Sequence, residues 1–166
     1  GARLFNAAVA SGMAAREIAR HFDSVSVCFS KGLGTPAGSA LCGSRELIGR
    51  AHRWRKMAGG AMRQSGVLAA AALYALDHHV ARLVDDHANA RRLAEGLQGL
   101  PGVSVAPPQT NIVFVELAPA RAHGATERLQ ARGVLTTGLY KLRLVTHLDV
   151  TASDVERAIL VLRETL

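Results

Sequence analysis

The sequence predicts an α/β protein built in two parts. Three observations carry that expectation. A short β-branched run at residues 25–29 reads as a buried strand set among alanine-rich helical stretches. Leu100-Pro101-Gly102 is a clean break, and beyond it short strands alternate with helices. The hydrophobic share of 49% is enough for a core, and with aromatic residues at 4% that core must be filled by alanine, valine and leucine. The expected architecture is a portion of a large, mostly parallel sheet with helices over residues 1–100. A small α/β sandwich over residues 101–166 follows, with helices on one face of its sheet.

Taken in order, residues 5–22 read as helical, interrupted near Ser11-Gly12. Residues 25–29 are apolar on both faces, as in an interior strand of a mostly parallel sheet, and residues 39–42 offer one neighbouring strand. Residues 45–57 form a helix with a basic exposed side, broken by Gly59-Gly60. Residues 62–80 form a long helix, apolar on most faces through 67–73, and such a helix is expected to be buried. Residues 81–100 are amphipathic, with Leu83, Ala90, Leu93 and Leu97 on one side and Asp85, Asp86, Arg91 and Arg92 largely elsewhere. Beyond the break, residues 103–105, 111–117, 134–136 and 142–146 read as strands, and 126–132 as a helix closed by Gly133. Thr151 can cap a last helix, with Asp154 in its first turn and Val155, Ile159, Leu162 and Leu166 at helical spacing.

Charge and cysteines narrow the class. The net charge is +7, but the arginines are spread over several helices without interleaved aromatics. The densest basic run, residues 50–56, reads as a solvated helix face, so nucleic acid is not the expected partner. No apolar run reaches the ~18 residues of a membrane helix, and no secretory signal is visible. Cys28 and Cys42 lie in apolar runs without metal-ligand spacing. They read as buried free thiols in a reducing, cytoplasmic compartment, with a cross-strand disulfide as the alternative.

Lys31 stands where the 25–29 strand runs into Gly32-Leu33-Gly34-Thr35-Pro36. A desolvated lysine becomes a nucleophile able to form a Schiff base, whereas a Lys-Gly pair taken alone reads as a solvated loop lysine. Lys56 and Arg63 flank Gly59-Gly60, where backbone can approach an anion, or they are ordinary charges at a helix end. Arg143 inside the apolar run 142–145 calls for an anionic partner such as a carboxylate, or it is a part-exposed arginine of an edge strand. His52, His78, His79, His87 and His123 show no metal spacing and read as surface or structural, and His147 reads as structural. A Ser-x-x-Lys site would need serine where Cys28 stands, and no GxxxxGK[ST] phosphate loop is present.

Four blocks in order carry a resemblance. They are Gly1-Ala2-Arg3-Leu4-Phe5-Asn6-Ala7-Ala8, the SVCFSKGLGTPAGSALCGS segment around Lys31, Lys56-Met57-Ala58-Gly59-Gly60-Ala61-Met62-Arg63-Gln64, and Arg143-Leu144-Val145-Thr146-His147. Together they resemble the low-specificity L-threonine aldolases, pyridoxal-phosphate enzymes of the aspartate-aminotransferase-like fold. The likeness covers nearly the whole sequence but only the second half of a family chain.

The resemblance implies that Lys31 is catalytic and binds pyridoxal 5'-phosphate. It implies that Arg3 contacts the cofactor ring, that Arg63 and less directly Lys56 bind the cofactor, and that Arg143 takes the substrate carboxylate. The implied reaction is retro-aldol cleavage of L-threonine or L-allo-threonine to glycine and acetaldehyde, in a homodimer or homotetramer. Residues 1–100 would be the C-terminal part of the large cofactor-binding domain, and residues 101–166 the small domain. In the family an aspartate just before the Gly-Ala-Arg segment pairs with the pyridine nitrogen, so the N-terminal half of the fold is an expected partner and the general base is expected there. The strand at 25–29 is therefore expected to pack against further polypeptide, whereas residues from about 102 onward are expected to close a core of their own. Two alternatives stand beside this: another pyridoxal-phosphate enzyme, a β-eliminating lyase or an aminotransferase, and a non-catalytic assembly module.

Overall fold

A computed structural model describes all 166 residues, in two compact units, Gly1–Leu83 and Val84–Leu166. The first opens with α1 (Leu4–Ser11) and α2 (Ala15–Ala19), separated by Gly12 at φ +70, a left-handed conformation that glycine adopts without steric cost. Strand β1 (Ser24–Cys28) pairs antiparallel with β2 (Ser39–Gly43). Within β1 only Val27 is buried, so the expected burial of both strand faces is not met by these residues: β2 covers one edge and no second strand lies along the other. Both cysteines are free; Cys28 stands opposite Ser39 and Cys42 opposite Val25. Cys42 is exposed rather than buried.

Helix α3 (Arg45–Met57) takes the predicted bounds, started by Ser44, whose Oγ accepts from the Leu47 amide at 3.2 Å. Helix α4 (Gly66–His78) begins later than predicted, after a turn in which Gln64 has φ +50. Its expected burial is also not met. Ala72 and Ala75 are buried, but Val67 is 75% and Leu73 63% exposed. Apolar residues surround this helix, and the unit's small core, Leu33, Ala75 and Leu83 with Phe5, Val9, Phe29, Leu76 and Val80 around them, covers one stripe of it.

Helix α5 (Leu83–Gly96), grouped with residues 1–100 by the sequence pattern, contributes Ala90, Leu93 and Ala94 to the core of the second unit. Asp86 is fully buried, where the helical pattern put it largely off the apolar side. Strands β3 (Val103–Val105), β4 (Ile112–Leu117) and β5 (Lys141–Val145) form an antiparallel sheet in that order. Period-two alternation turns Val113, Val115, Leu142 and Leu144 into the core and leaves Phe114, Glu116 and Arg143 on the other face. The short α6 (Pro119–Ala122), α7 (Ala125–Ala131) and α8 (Ala152–Thr165) complete the unit. Alpha-7 stops at Gly133, φ +82. The predicted strand at 134–136 is absent as a strand; the next residue, Thr137, makes a single bridge to Arg143. Thr151 and Asp154 close a capping box on α8, and the Thr151 hydroxyl and amide hold the Asp154 carboxyl below its ordinary pKa. No single helix is long and apolar enough to cross a membrane.

Candidate active site

Beta-1 delivers the chain into a loop closed on itself. The Phe29 amide donates to Gly38 O at 3.0 Å and the Thr35 amide to Phe29 O at 3.2 Å. Inside it, the Gly34 amide donates to Lys31 O at 2.9 Å, with Gly34 at φ +70. Lys31 is exposed, while Gly32 and Leu33 behind it are buried. A Cβ on Gly32 would lie 2.9 Å from Asn6 Oδ1 and 3.1 Å from Leu83 Cδ2, so α1 packs directly on the residue after Lys31. His79, at the end of α4, donates from Nδ1 to Leu33 O at 2.6 Å. The base of the loop is thus held from α1, α4 and Leu83, and the lysine amine extends from that base into solvent. Residues 1–166 themselves do not desolvate it.

The other candidates divide between the two units. Arg3 is the N-cap residue of α1, half-buried, and lines a cavity of about 340 Å3 with Ile18, Phe22 and Val25. It shares its helix with Asn6, so packing brings the element carrying Arg3 onto the Lys31 loop. Lys56, in the last turn of α3, and Arg63, in the turn before α4, are exposed, and neither is joined to that loop by a hydrogen bond or ion pair. The glycine break beside them is closed by backbone: Gly59 N donates to Lys56 O at 3.2 Å and Gly60 N to Arg55 O at 2.8 Å. In the second unit, Arg143 stands mid-β5, half-buried, directly across from Phe114. Its amide donates to Thr137 O at 2.8 Å, Thr136 Oγ1 donates to its carbonyl at 3.3 Å, and no carboxylate pairs with its guanidinium.

The beta-eliminating lyase family matches residues 1–120, which include Arg3, Lys31, Lys56 and Arg63. The chain belongs to that family. The low specificity L-threonine aldolase of Escherichia coli K12 is 52% identical over 151 residues, covering 91% of this chain and 45% of that protein. Low-specificity L-threonine aldolase 1 of Arabidopsis thaliana is 43% identical over 162 residues, covering 93% of this chain and 45% of that protein. A solved structure from Exiguobacterium sp. 255-15, named as an aromatic amino acid beta-eliminating lyase/threonine aldolase, superposes with a TM-score of 0.81 at 25% identity over 100% of this chain and 51% of that one. The chain therefore spans about half the length of the proteins it matches.

Four polar residues matter to the candidate site; of these the sequence marks only His79, as a surface or structural histidine. Asn6 and His79 brace the Lys31 loop. Asn111 and Thr146 brace the strand of Arg143: Asn111 Nδ2 donates to Thr146 O at 2.7 Å, and Thr146 Oγ1 donates to Asp86 O at 2.6 Å. Asn6, Asn111 and Thr146 are each no more than 2% exposed. A polar residue on an apolar helix face, Asn6 between Phe5 and Val9, was the one available signal. Next to this clasp, burial lowers the pKa of His87; Asp86 opposes the shift and Arg91 adds to it.

Proposed function

We propose that this chain is the second half of a pyridoxal-phosphate-dependent aldehyde-lyase that cleaves L-threonine or L-allo-threonine into glycine and acetaldehyde. The observation that carries the reading is the Lys31 loop: an exposed primary amine on a base braced by Asn6 and His79, with a glycine where any side chain would collide. That donor set fits the cofactor. A reachable amine suits its aldehyde, Arg3 enters from the helix packed on the loop, and Lys56 and Arg63 are cations without internal carboxylate partners. When bound, pyridoxal phosphate supplies the electron sink for breaking the Cα–Cβ bond.

The remaining work falls to the chain's own groups. Lys31 Nζ would hold the cofactor, with Arg3 contacting it and Arg63 and Lys56 offering charge to it. The planar fork of Arg143 takes the substrate carboxylate through two parallel hydrogen bonds, which fixes the substrate's orientation. The base for the β-hydroxyl proton lies outside residues 1–166 in this reading. The cofactor-binding portion runs to about residue 100 and the small domain from 101 onward. The enzyme works in the cytoplasm as a homodimer or homotetramer, and the uncovered Val67 and Leu73 of α4 suit a neighbouring subunit or the remaining half of the fold.

The test is a chimera in which residues 1–166 replace the matching segment of the E. coli relative. It should release acetaldehyde from L-threonine, and Lys31→Ala should abolish that release. Transfer of an amino group to a keto acid without acetaldehyde would overturn the reading in favour of an aminotransferase.

A further inference from the structure

The outer face of the second unit's sheet carries two cations side by side, and the structure treats them differently. Lys141 and Arg143 are two residues apart on β5, hence on one face, about 6.6–6.8 Å apart along the strand. The register sets Glu116 opposite Lys141 and Phe114 opposite Arg143. Lys141 Nζ lies 2.9 Å from Glu116 Oε1 and 5.1 Å from the centre of the Phe114 ring. Its charge is matched by Glu116 and by the face of an aromatic ring. Arg143 meets a neutral ring across the ladder and keeps its charge unpaired. The face therefore presents one available cation, not two.

We infer that Glu116 is a specificity residue: it occupies Lys141, so that the face of Arg143 accepts a compound with one carboxylate and refuses one with two. The inference rests on Arg143 being the carboxylate site. Two free cations at this spacing would grip both ends of a short dicarboxylate. With Glu116 present, a second carboxylate reaching past Arg143 meets a like charge and an already paired ammonium, which is discrimination by repulsion. Amino acids with acidic side chains are the class excluded, and small uncharged or hydroxylated ones the class admitted. Phe114 completes the arrangement, since an acidic residue at its position would neutralise Arg143 from within the sheet.

The experiment follows the Arg143 Nε–H signal in 15N NMR spectra of the 166-residue chain, assigned by its loss in Arg143→Lys, during titration with acetate and with succinate at constant ionic strength. Glu116→Gln should tighten succinate relative to acetate by about 1.5- to 5-fold, the scale of an exposed ion pair. Phe114→Glu should weaken both. All three positions are at least partly exposed, so the amide spectrum should report an unchanged fold. If acetate moves the Arg143 signal but Glu116→Gln leaves the succinate-to-acetate ratio unchanged, this inference is overturned and the carboxylate role of Arg143 stands. If neither anion moves the signal, the carboxylate role itself falls, and the inference with it.

Discussion

Replacing Asn111 by alanine tests how the strand bearing Arg143 is held. The side chain is 2% exposed, and its Nδ2 gives Thr146 O a 2.7 Å hydrogen bond inside the protein. The backbone pair returning from the Thr146 amide to Asn111 O at 3.1 Å survives the substitution. The loss includes one donor to a buried carbonyl that water does not reach, which by itself costs about 1–3 kcal/mol. Thr146→Val removes the neighbouring bond to Asp86 O, at 2.6 Å, while keeping shape, and should cost about 0.5–1.5 kcal/mol. The two residues touch, so the double variant should fall short of or exceed the sum by a measurable coupling. Ser104→Ala, on the exposed side of β3, is the control and should stay within about 0.5 kcal/mol. Urea unfolding followed by far-UV circular dichroism gives each value, and amide exchange in β5 should quicken in Asn111→Ala. An Asn111→Ala cost no larger than that of Ser104→Ala would refute the clasp.

Three further outcomes are expected. Gly32→Ala puts a methyl 2.9 Å from Asn6 Oδ1, so thermal melts should show about 1–3 kcal/mol of destabilisation; an unchanged melt would mean that α1 gives way freely. In the chimera, Arg143→Ala should weaken substrate binding roughly ten- to a hundredfold with cofactor affinity kept, and Arg143→Lys should recover little; equal loss of both affinities would indicate a structural role. His87 binds its proton less readily folded than at its ordinary value of 6.5. The unfolded chain then holds more protons just below that pH, so this contribution to stability is complete above it and declines as pH falls through it, with a slope of at most about 1.4 kcal/mol per pH unit. His87→Gln should flatten that slope in urea midpoints measured between pH 5 and 7, and an identical slope would remove His87 as its source.

Local signals carried much of the fold. Ser44 and Thr151 are side-chain caps, and the helices they start lie where the sequence puts them. The alternation through Val113, Val115 and Leu117 reads directly as the inward face of β4. What failed has a common cause: hydrophobic pattern says which residues are apolar, not whether neighbouring residues cover them. Leu135 belongs to an apolar run that reads as strand, yet it is 78% exposed, because the segment meets β5 only through the Thr137 bridge and the Thr136 hydroxyl on Arg143 O. Leu73 fails likewise on α4. At the candidate site, the strand, lysine and glycine turn are adjacent in sequence and were legible. The groups that brace them are not: His79 bonds Leu33 across 46 positions, and Asn6 arrives from α1. Such contacts exist only once the chain has folded.

The central claim is that Lys31 is the residue that holds pyridoxal phosphate. The direct measurement is borohydride reduction of the cofactor-loaded chimera, followed by protease digestion and mass mapping of the modified peptide. A single reduced adduct on Lys31, absent from Lys31→Ala, is expected. An adduct on Lys56 or Lys141, or one that persists in Lys31→Ala, would contradict that claim.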